Sequence, residues 1–459
     1  NHAMDTPLLE QQKDAPRLLR IAWLLPALAG ALYGYDIGTL SAAARSLPHL
    51  GLYPSALLHA ASTIGAAAAT LLTLPLALPL GRRGEILLGS ACYLAGTLAC
   101  ASAPEVAPFA RCALGRVVYG VGVGFSMHAA PAYIAEVSPA ESRGSLVALK
   151  EIFIVCGMVM GFAVSAWFAR TREAWRWVWL IVPLPVSLVI FGGAARLPAS
   201  PRWLLQRGRR LEADRALGRL RRGASAEVVR AEFASIDASL DAESRDPTRL
   251  PRRALAIGLS LVALQQLTGQ PSVLLYATDI FAASGLASLA PSASLVLGLV
   301  KLLATLASPV AVDTVGRRPL LLLGISLMLG SLLVLTLSLG PTLRAEPSTT
   351  GLFTTAALGI YVCGYQVGFG PITWLLLSEI FPLRSRAQAL SIAAFANFGL
   401  NSVVTFGVEP LEASFEAALP GRGYAVLFGS YSLMCIVSLA FVYNHVPETQ
   451  GLALEQIRL

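Results

Sequence analysis

The chain has 459 residues, 55% hydrophobic and only 14% charged, with a mean hydropathy of +0.64. Soluble domains carry roughly 25% charged residues, so a water-soluble globule is excluded and a polytopic helical membrane protein is implied. The net charge of +8 comes from arginines and lysines gathered in particular loops, as in cytoplasmic loops of membrane proteins, and no nucleic-acid partner is expected.

Twelve spans are predicted in chain order, near 20–41, 56–79, 85–103, 109–136, 146–168, 176–195, 254–282, 290–311, 319–340, 352–380, 387–409 and 423–445. The first is too long, and followed by too many others, to be a cleaved signal peptide; residues 1–20 lack the Arg/Ser pattern of a transit peptide. Residues 196–253 differ, with 14 Arg and 8 acidic residues and hence a local net charge of +6. LEADRALGRLRR and AEVVRAEFASIDASL there read as amphipathic helices in water. The predicted organisation is a tail (1–19), a six-helix bundle (20–195), an intracellular helical domain (196–253), a second six-helix bundle (254–445) and a tail (446–459). Arg82/Arg83, Arg143, the central arginines, Arg317/Arg318 and Arg384/Arg386 fall in alternate loops, which places those loops and both termini in the cytoplasm.

The halves repeat. GRR at 81–83 is followed by PAYIAEVSPAESRG, and GRRP at 316–319 by ITWLLLSEIFPLRSRA. In each, a glutamate precedes an arginine by seven residues: Glu136 to Arg143, and Glu379 to Arg386. Two similar bundles with cargo near the midplane is the architecture of alternating access. The loop arginines are either positive-inside anchors or partners of Glu136, Glu379 and nearby helix ends, in which case they gate transport by holding the halves together. The six cysteines, at 92, 100, 112, 156, 363 and 435, have no metal or redox spacing, and neither metal nor cofactor is expected.

Asp36 and Arg116 stand out because each lies in a long apolar run. A buried carboxylate is costly unless paired or able to take a proton, and intramembrane charges mark transport paths, proton relays or helix contacts. Asp36 is therefore a candidate proton carrier and Arg116 the group that captures its ionised form; a permanent structural pair is the alternative. Tyr33, Tyr35, Tyr119 and His128 are weaker candidates, the histidine reading first as a packed or interfacial residue. Span seven opens with QQLTGQP, so Gln265, Gln266 and Gln270 bring neutral amides together and Pro271 is expected to break the helix. Such groups suit a neutral polyol, or simply bridge helices. Trp374 follows a segment that Gly368, Gly370 and Pro371 should interrupt, and its indole offers a flat face to a sugar ring. Asn397 and Asn401, one turn apart around Phe398, extend this lining. Glu151 and Lys301 are further charges in apolar surroundings, able to face the cavity, pair elsewhere or bridge directly.

The strings GRVVYGVGVG, PAYIAEVSPAESRG, PASPRWLL, QQLTGQPSVLLYATDIF, VDTVGRRP, GPITWLLLSEIFPLRSRA and VPETQG resemble the sugar porter family of the major facilitator superfamily, and they cover both halves. MHAAPAYIAE, ALKE and ASPRWLL look most like its plant and algal D-xylose–proton-symporter-like subgroup, associated with vacuolar or plastid membranes; a plasma-membrane location is the alternative. The resemblance implies an all-α major facilitator fold of twelve transmembrane helices in two bundles with a cytoplasmic helical linker. It implies a hexose or pentose at the midplane, met by Gln265, Gln266, Trp374 and Asn397, and proton coupling through Asp36 and Arg116. Departures are Glu151 for the usual glutamine, Pro271 and Lys301 for usual asparagines, and Phe398 for a frequent tryptophan. The first GRR loop offers Leu78 where the second keeps the acid Asp313, and Ala199 replaces a glutamate, so unequal gates are expected. The expected protein is thus a monomeric monosaccharide–proton symporter in a lipid bilayer. Passive uniport and a non-transporting sensor are the alternatives; the short segment after VPETQG argues against the sensor. No nucleophile–base or metal constellation points to an enzyme.

Overall fold

Inside a bilayer the backbone has no water to bond, so long apolar runs satisfy their own N–H and C=O groups as helices. The computed structural model describes residues 17–47, 51–105, 107–139, 143–169, 171, 173–245, 251–340, 347–381 and 383–449, and among them there are helices and turns but no strand. The first half comprises α1 (Arg17–Ser46), α2 (Leu52–Ala101), α3 (Phe109–Val137), α4 (Arg143–Phe168), α5 (Ala174–Ile181) and α6 (Pro183–Ala194). Three helices follow, α7 (Pro201–Gln206), α8 (Arg210–Leu220) and α9 (Ala226–Arg245). The second half comprises α10 (Arg252–Leu267), α11 (Gln270–Leu275), α12 (Ala277–Phe281), α13 (Ala290–Val315), α14 (Arg317–Ser338), α15 (Pro347–Val367), α16 (Phe369–Ile380), α17 (Leu383–Ala418) and α18 (Gly423–His445).

Ten helical segments are long and apolar enough to cross a membrane, against twelve expected spans. Two physical features account for the difference. The 50-residue α2 contains Gly81 at the non-helical φ 69°, ψ 166°, so the chain turns back there and α2 comprises two helical arms, each able to make its own crossing. The seventh expected span is divided into α10, α11 and α12, each too short to qualify alone. Pro271 is not what divides it. Gly269, at φ +92° against the Tyr431 ring, makes the break, and Pro271 sits in the first turn of α11, where no backbone N–H is needed. The expected interruption near Trp374 does occur at Gly368, between α15 and α16.

Gly316 repeats the Gly81 geometry, at φ 102°, ψ 164°. Both glycines occupy a region that a side chain enters only under strain, so the sequence repeat is also a conformational repeat. One apolar core centres on the first half, with Leu32, Tyr93, Tyr119 and Ile134, and another on the second, with Leu261, Phe281, Met328 and Phe428; the latter also takes in Val155, Met158 and Phe162 of α4. The charged connector buries Leu204, Leu205, Ala213 and Ala216 between α7 and α8, with Phe233 and Ile236 of α9 against them. Its two expected helices are α8 and α9, the first ending at Leu220 rather than running through Arg222.

Side-chain bonds join the halves from the middle of the molecule toward the end opposite the GRR loops. Ser41 donates to Asp279 (2.9 Å), with Arg45 3.6 Å from the same carboxylate. Ser55 donates to Glu409 (2.9 Å) and Ser402 to Thr63 (2.9 Å). The halves are therefore latched together at that end.

Candidate functional site

Helix approach builds the charged centre. A Cβ on Gly120 would lie 1.9 Å from the Ser62 carbonyl oxygen, so only glycine lets α3 lie this close to α2. That contact delivers Arg116 to Ser62 and to Asp36 on α1. Arg116 Nη1 donates to Asp36 Oδ1 at 2.7 Å and Nη2 to Oδ2 at 3.1 Å, a bidentate pair. Arg116 Nη2 also donates to Ser62 Oγ (2.9 Å), which passes its own hydrogen to Asp36 Oδ2 (2.8 Å). Arg116 Nε is taken by the Leu58 carbonyl (2.9 Å). The arginine is 1% exposed and the aspartate 5%, so the charges are compensated within the protein rather than by bulk water. Ser62 was not anticipated from the sequence; a serine among alanines gives no pattern to read.

A network of amides lies across the seam in the second half. Gln265 Nε2 donates to the Phe369 carbonyl (2.7 Å), the first residue of α16 after the Gly368 break. Gln265 Oε1 accepts from Gln266 Nε2 (3.3 Å) and Asn397 Nδ2 (3.2 Å), and Gln266 Oε1 accepts from Asn401 Nδ2 (3.2 Å). Four of the expected lining residues thus form one connected lattice. A cavity lined by Tyr33, Asp36, His59, Ser62, Gln270 and Asn401, with four other side chains and Pro271, joins this lattice to the charge pair. Phe398 packs edge-on against Tyr33 across the seam, with centroids 5.9 Å apart. Trp374 is 36% exposed on α16 and carries no hydrogen bond that ties it to the lattice.

The family model described as "Sugar (and other) transporter" matches residues 22–459. The chain belongs to this sugar transporter family. "D-xylose-proton symporter-like 1" of Arabidopsis thaliana is 39% identical over 484 aligned residues, covering 98% of this chain and 93% of that protein. "D-xylose-proton symporter-like 3, chloroplastic" of the same plant is 38% identical over 472, covering 95% of this chain and 81% of that protein. The solved "partially occluded inward open conformation of the xylose transporter XylE from E. coli" superposes with a TM-score of 0.82 at 24% identity, covering 95% and 100% of the two chains. The fold is that of a major facilitator.

Within this sugar transporter family member, several expected roles change. Lys301 does not reach Glu151: its ammonium donates to Gln366 Oε1 (2.8 Å) and lies 5.2 Å from the Tyr365 ring centre, and no ion pair with Glu151 forms. Tyr35 and Tyr119 give their hydroxyls to the Val178 and Leu32 carbonyls (2.6 and 2.8 Å), which makes them helix fasteners. His128 is not simply packed. Its Nδ1 lies 2.5 Å from Glu85 Oε2, a carboxylate with no exposure, whose other oxygen faces Arg82 at 3.6 Å.

The GRR loops make matching bonds. Arg82 donates to Glu136 and Arg317 to Glu379, both at 3.1 Å. Arg83 holds the Ala194 and Ala195 carbonyls and Arg318 the Tyr443 carbonyl. Each pair lies inside one half, so in this conformation they brace each bundle and do not bridge the two, as gating would require. Arg386 donates to the Phe381 carbonyl at 3.2 Å. The side chains of Arg143 and Asp313 lie outside the described residues. The first loop's missing acid has substitutes: Leu78 accepts the Trp203 indole N–H through its carbonyl (2.8 Å), and Glu85 supplies charge. Glu448, in VPETQG, accepts the backbone N–H groups of Arg317 and Arg318 (3.1 and 3.0 Å), a helix-start role the sequence did not disclose.

Proposed function

We propose that this protein is a monosaccharide–proton symporter working by alternating access, as a monomer, in a vacuolar or plastid membrane, and that it performs no covalent chemistry. One observation carries the reading: Asp36, held by Arg116 in a bidentate pair, lines a cavity at the seam between the halves together with the amides Gln270 and Asn401. The name of the Arabidopsis relative, a D-xylose-proton symporter-like protein, supports the cargo class.

The chemistry follows from what each group can exchange. The amide lattice is self-satisfied, so a sugar's hydroxyls can replace amide–amide bonds with amide–hydroxyl bonds at little net cost. Gln265, Gln266, Gln270, Asn397 and Asn401 supply the donors and acceptors, and Trp374 and Phe398 the apolar faces. A proton on Asp36 removes the charge that holds Arg116, loosening α1 from α3. Its release restores the pair. Coupling arises because cargo binding and protonation favour the same transition between end states. With the GRR loops in the cytoplasm, the latch at the opposite end closes the non-cytoplasmic side of this conformation.

The completeness of the pair favours one other reading, passive uniport with Asp36 locked as a structural anion. Uptake into proteoliposomes under an imposed pH gradient decides between them. Symport gives accumulation of xylose or glucose above equilibrium with proton entry, abolished in Asp36→Asn while counterflow exchange persists. Rapid equilibration without accumulation by the intact protein establishes uniport.

A further inference from the structure

We infer that His59 is the relay that loads Asp36 with its proton from the side opposite the GRR loops, an inference that rests on the symport reading above. His59, on α2, is 3% exposed. Its Nδ1 lies 3.0 Å from the Ser55 carbonyl oxygen and 3.0 Å from Glu409 Oε1. Both neighbours accept, so Nδ1 carries the hydrogen, and in the neutral ring the basic lone pair sits on Nε2. Nε2 is buried with no hydrogen-bond partner. An unpaired base in that position is costly for a merely structural histidine. The ring lines the same cavity as Asp36, Ser62, Gln270 and Asn401, a space of mixed polar and apolar lining and of a size that holds water. Ser62, three residues further along the same helix, donates directly to Asp36.

The groups around the ring suit proton exchange. Glu409 is fixed by the hydroxyls of Ser55 (2.9 Å) and Tyr276 (3.2 Å), and its carboxylate is the counter-charge for a protonated ring. Tyr276 stacks on the ring at 4.5 Å. Arg116 holds the carbonyl of the preceding Leu58 and is occupied by Asp36. Beyond Glu409 lie Glu412, Tyr424 and Asp279, the last paired with Arg45. His59 and Ser55 belong to one half, Glu409 and Tyr276 to the other, so this cluster is also the latch. When the latch parts, Nε2 meets outside water and binds a proton. When it closes, the Nε2–H bond breaks, an O–H bond forms on Asp36, and the ring returns to its Nδ1–H form. One proton moves inward and none is consumed. Because loading needs the open latch and delivery the closed one, the relay also blocks a proton leak.

The test uses proteoliposomes of the full chain, with His59→Gln, Glu409→Gln and Asp36→Asn beside the intact protein. Sugar accumulation is read against outer pH, and sugar counterflow at equal pH in the same vesicles reports folded carrier. His59→Gln is expected to lose ~10-fold or more in proton-driven accumulation while counterflow persists. Glu409→Gln keeps an amide for Ser55 and Tyr276 but removes the counter-charge, so half-maximal accumulation moves to more acid pH. An unchanged pH profile in both, alongside loss of accumulation in Asp36→Asn, overturns the relay and leaves symport standing. Loss of counterflow in His59→Gln with an unchanged profile in Glu409→Gln makes His59 structural and also overturns it. No accumulation by the intact protein overturns the symport reading itself, and the relay with it.

Discussion

The two halves share their scaffolding and differ in their chemistry. Gly81 and Gly316 turn the chain alike, and Arg82–Glu136 answers Arg317–Glu379 at the same 3.1 Å. At the midplane the likeness stops. The first half presents a charge pair, Asp36–Arg116, held by Ser62; the second presents uncharged amides from Gln265 to Asn401. A duplicated bundle gives a symmetric rocking machine. In the proposed symport cycle, this separation lets one half sense the proton and the other the sugar, with the cavity between them coupling the two.

That division predicts a double dissociation, the largest effect expected. Gln265→Ala removes the acceptor of two amides and the donor to the Phe369 carbonyl, leaving two buried polar groups and one partly buried amide, that of Asn397, short of partners. At about 1–3 kcal/mol for such loss, sugar affinity should fall roughly 10–100-fold. The pH profile of the remaining uptake should not move. Equilibrium binding of the sugar and pH-resolved uptake are the two measurements. A Gln265→Ala protein whose pH profile shifts would show that the halves do not divide the labour this way.

The same contrast explains what the sequence discloses. Hydropathy and the GRR repeat reveal the helical spans because the bilayer imposes length and apolarity on them. Asp36 and Arg116 are legible because charge inside an apolar run is conspicuous, and Gln266/Gln270 and Asn397/Asn401 because amides four residues apart share a helix face. Ser62 and His59 are not legible: small or single polar residues in α2 acquire meaning only when α1 and α17 are placed against it. Glu85 and Glu448 sit beside the loops and read as interfacial charge until His128 and the Arg317 backbone are seen facing them. The division of span seven at Gly269 instead of Pro271 has the same origin, since only the Tyr431 ring beside Gly269 shows where the chain has to bend.

A second prediction tests the scaffolding half of the comparison. Gly81→Ala and Gly316→Ala both put a side chain into a strained backbone region, at about 1–3 kcal/mol each. Gly81→Ala should be the worse of the two, because its Cβ would lie 2.6 Å from the Trp203 ring, whose indole N–H is already committed to the Leu78 carbonyl. Thermal melting in detergent should rank Gly81→Ala below Gly316→Ala. The reverse order would mean that the connector helix α7 yields easily and does not buttress the first loop.

The smallest effect expected concerns the two loop arginines. Their ion pairs are partly exposed, so screening limits each to about 1 kcal/mol or less. Arg82→Gln and Arg317→Gln should nonetheless differ. Arg82 faces two carboxylates, Glu136 and the fully buried Glu85, and Glu85 also holds His128. Removing the arginine leaves the buried Glu85 carboxylate with His128 as its one remaining side-chain partner in this cluster. Arg317, by contrast, pairs with Glu379, which also accepts from Thr449, and the Arg317 and Arg318 backbone N–H groups stay bound to Glu448 whatever the side chain is. Arg82→Gln should therefore lose more stability than Arg317→Gln. Melting temperatures of the two variants beside the intact protein, in one buffer, separate them. Equal losses would show that Glu85 and His128 add nothing to the first loop, and that the halves are matched at their loops as well as in their bundles.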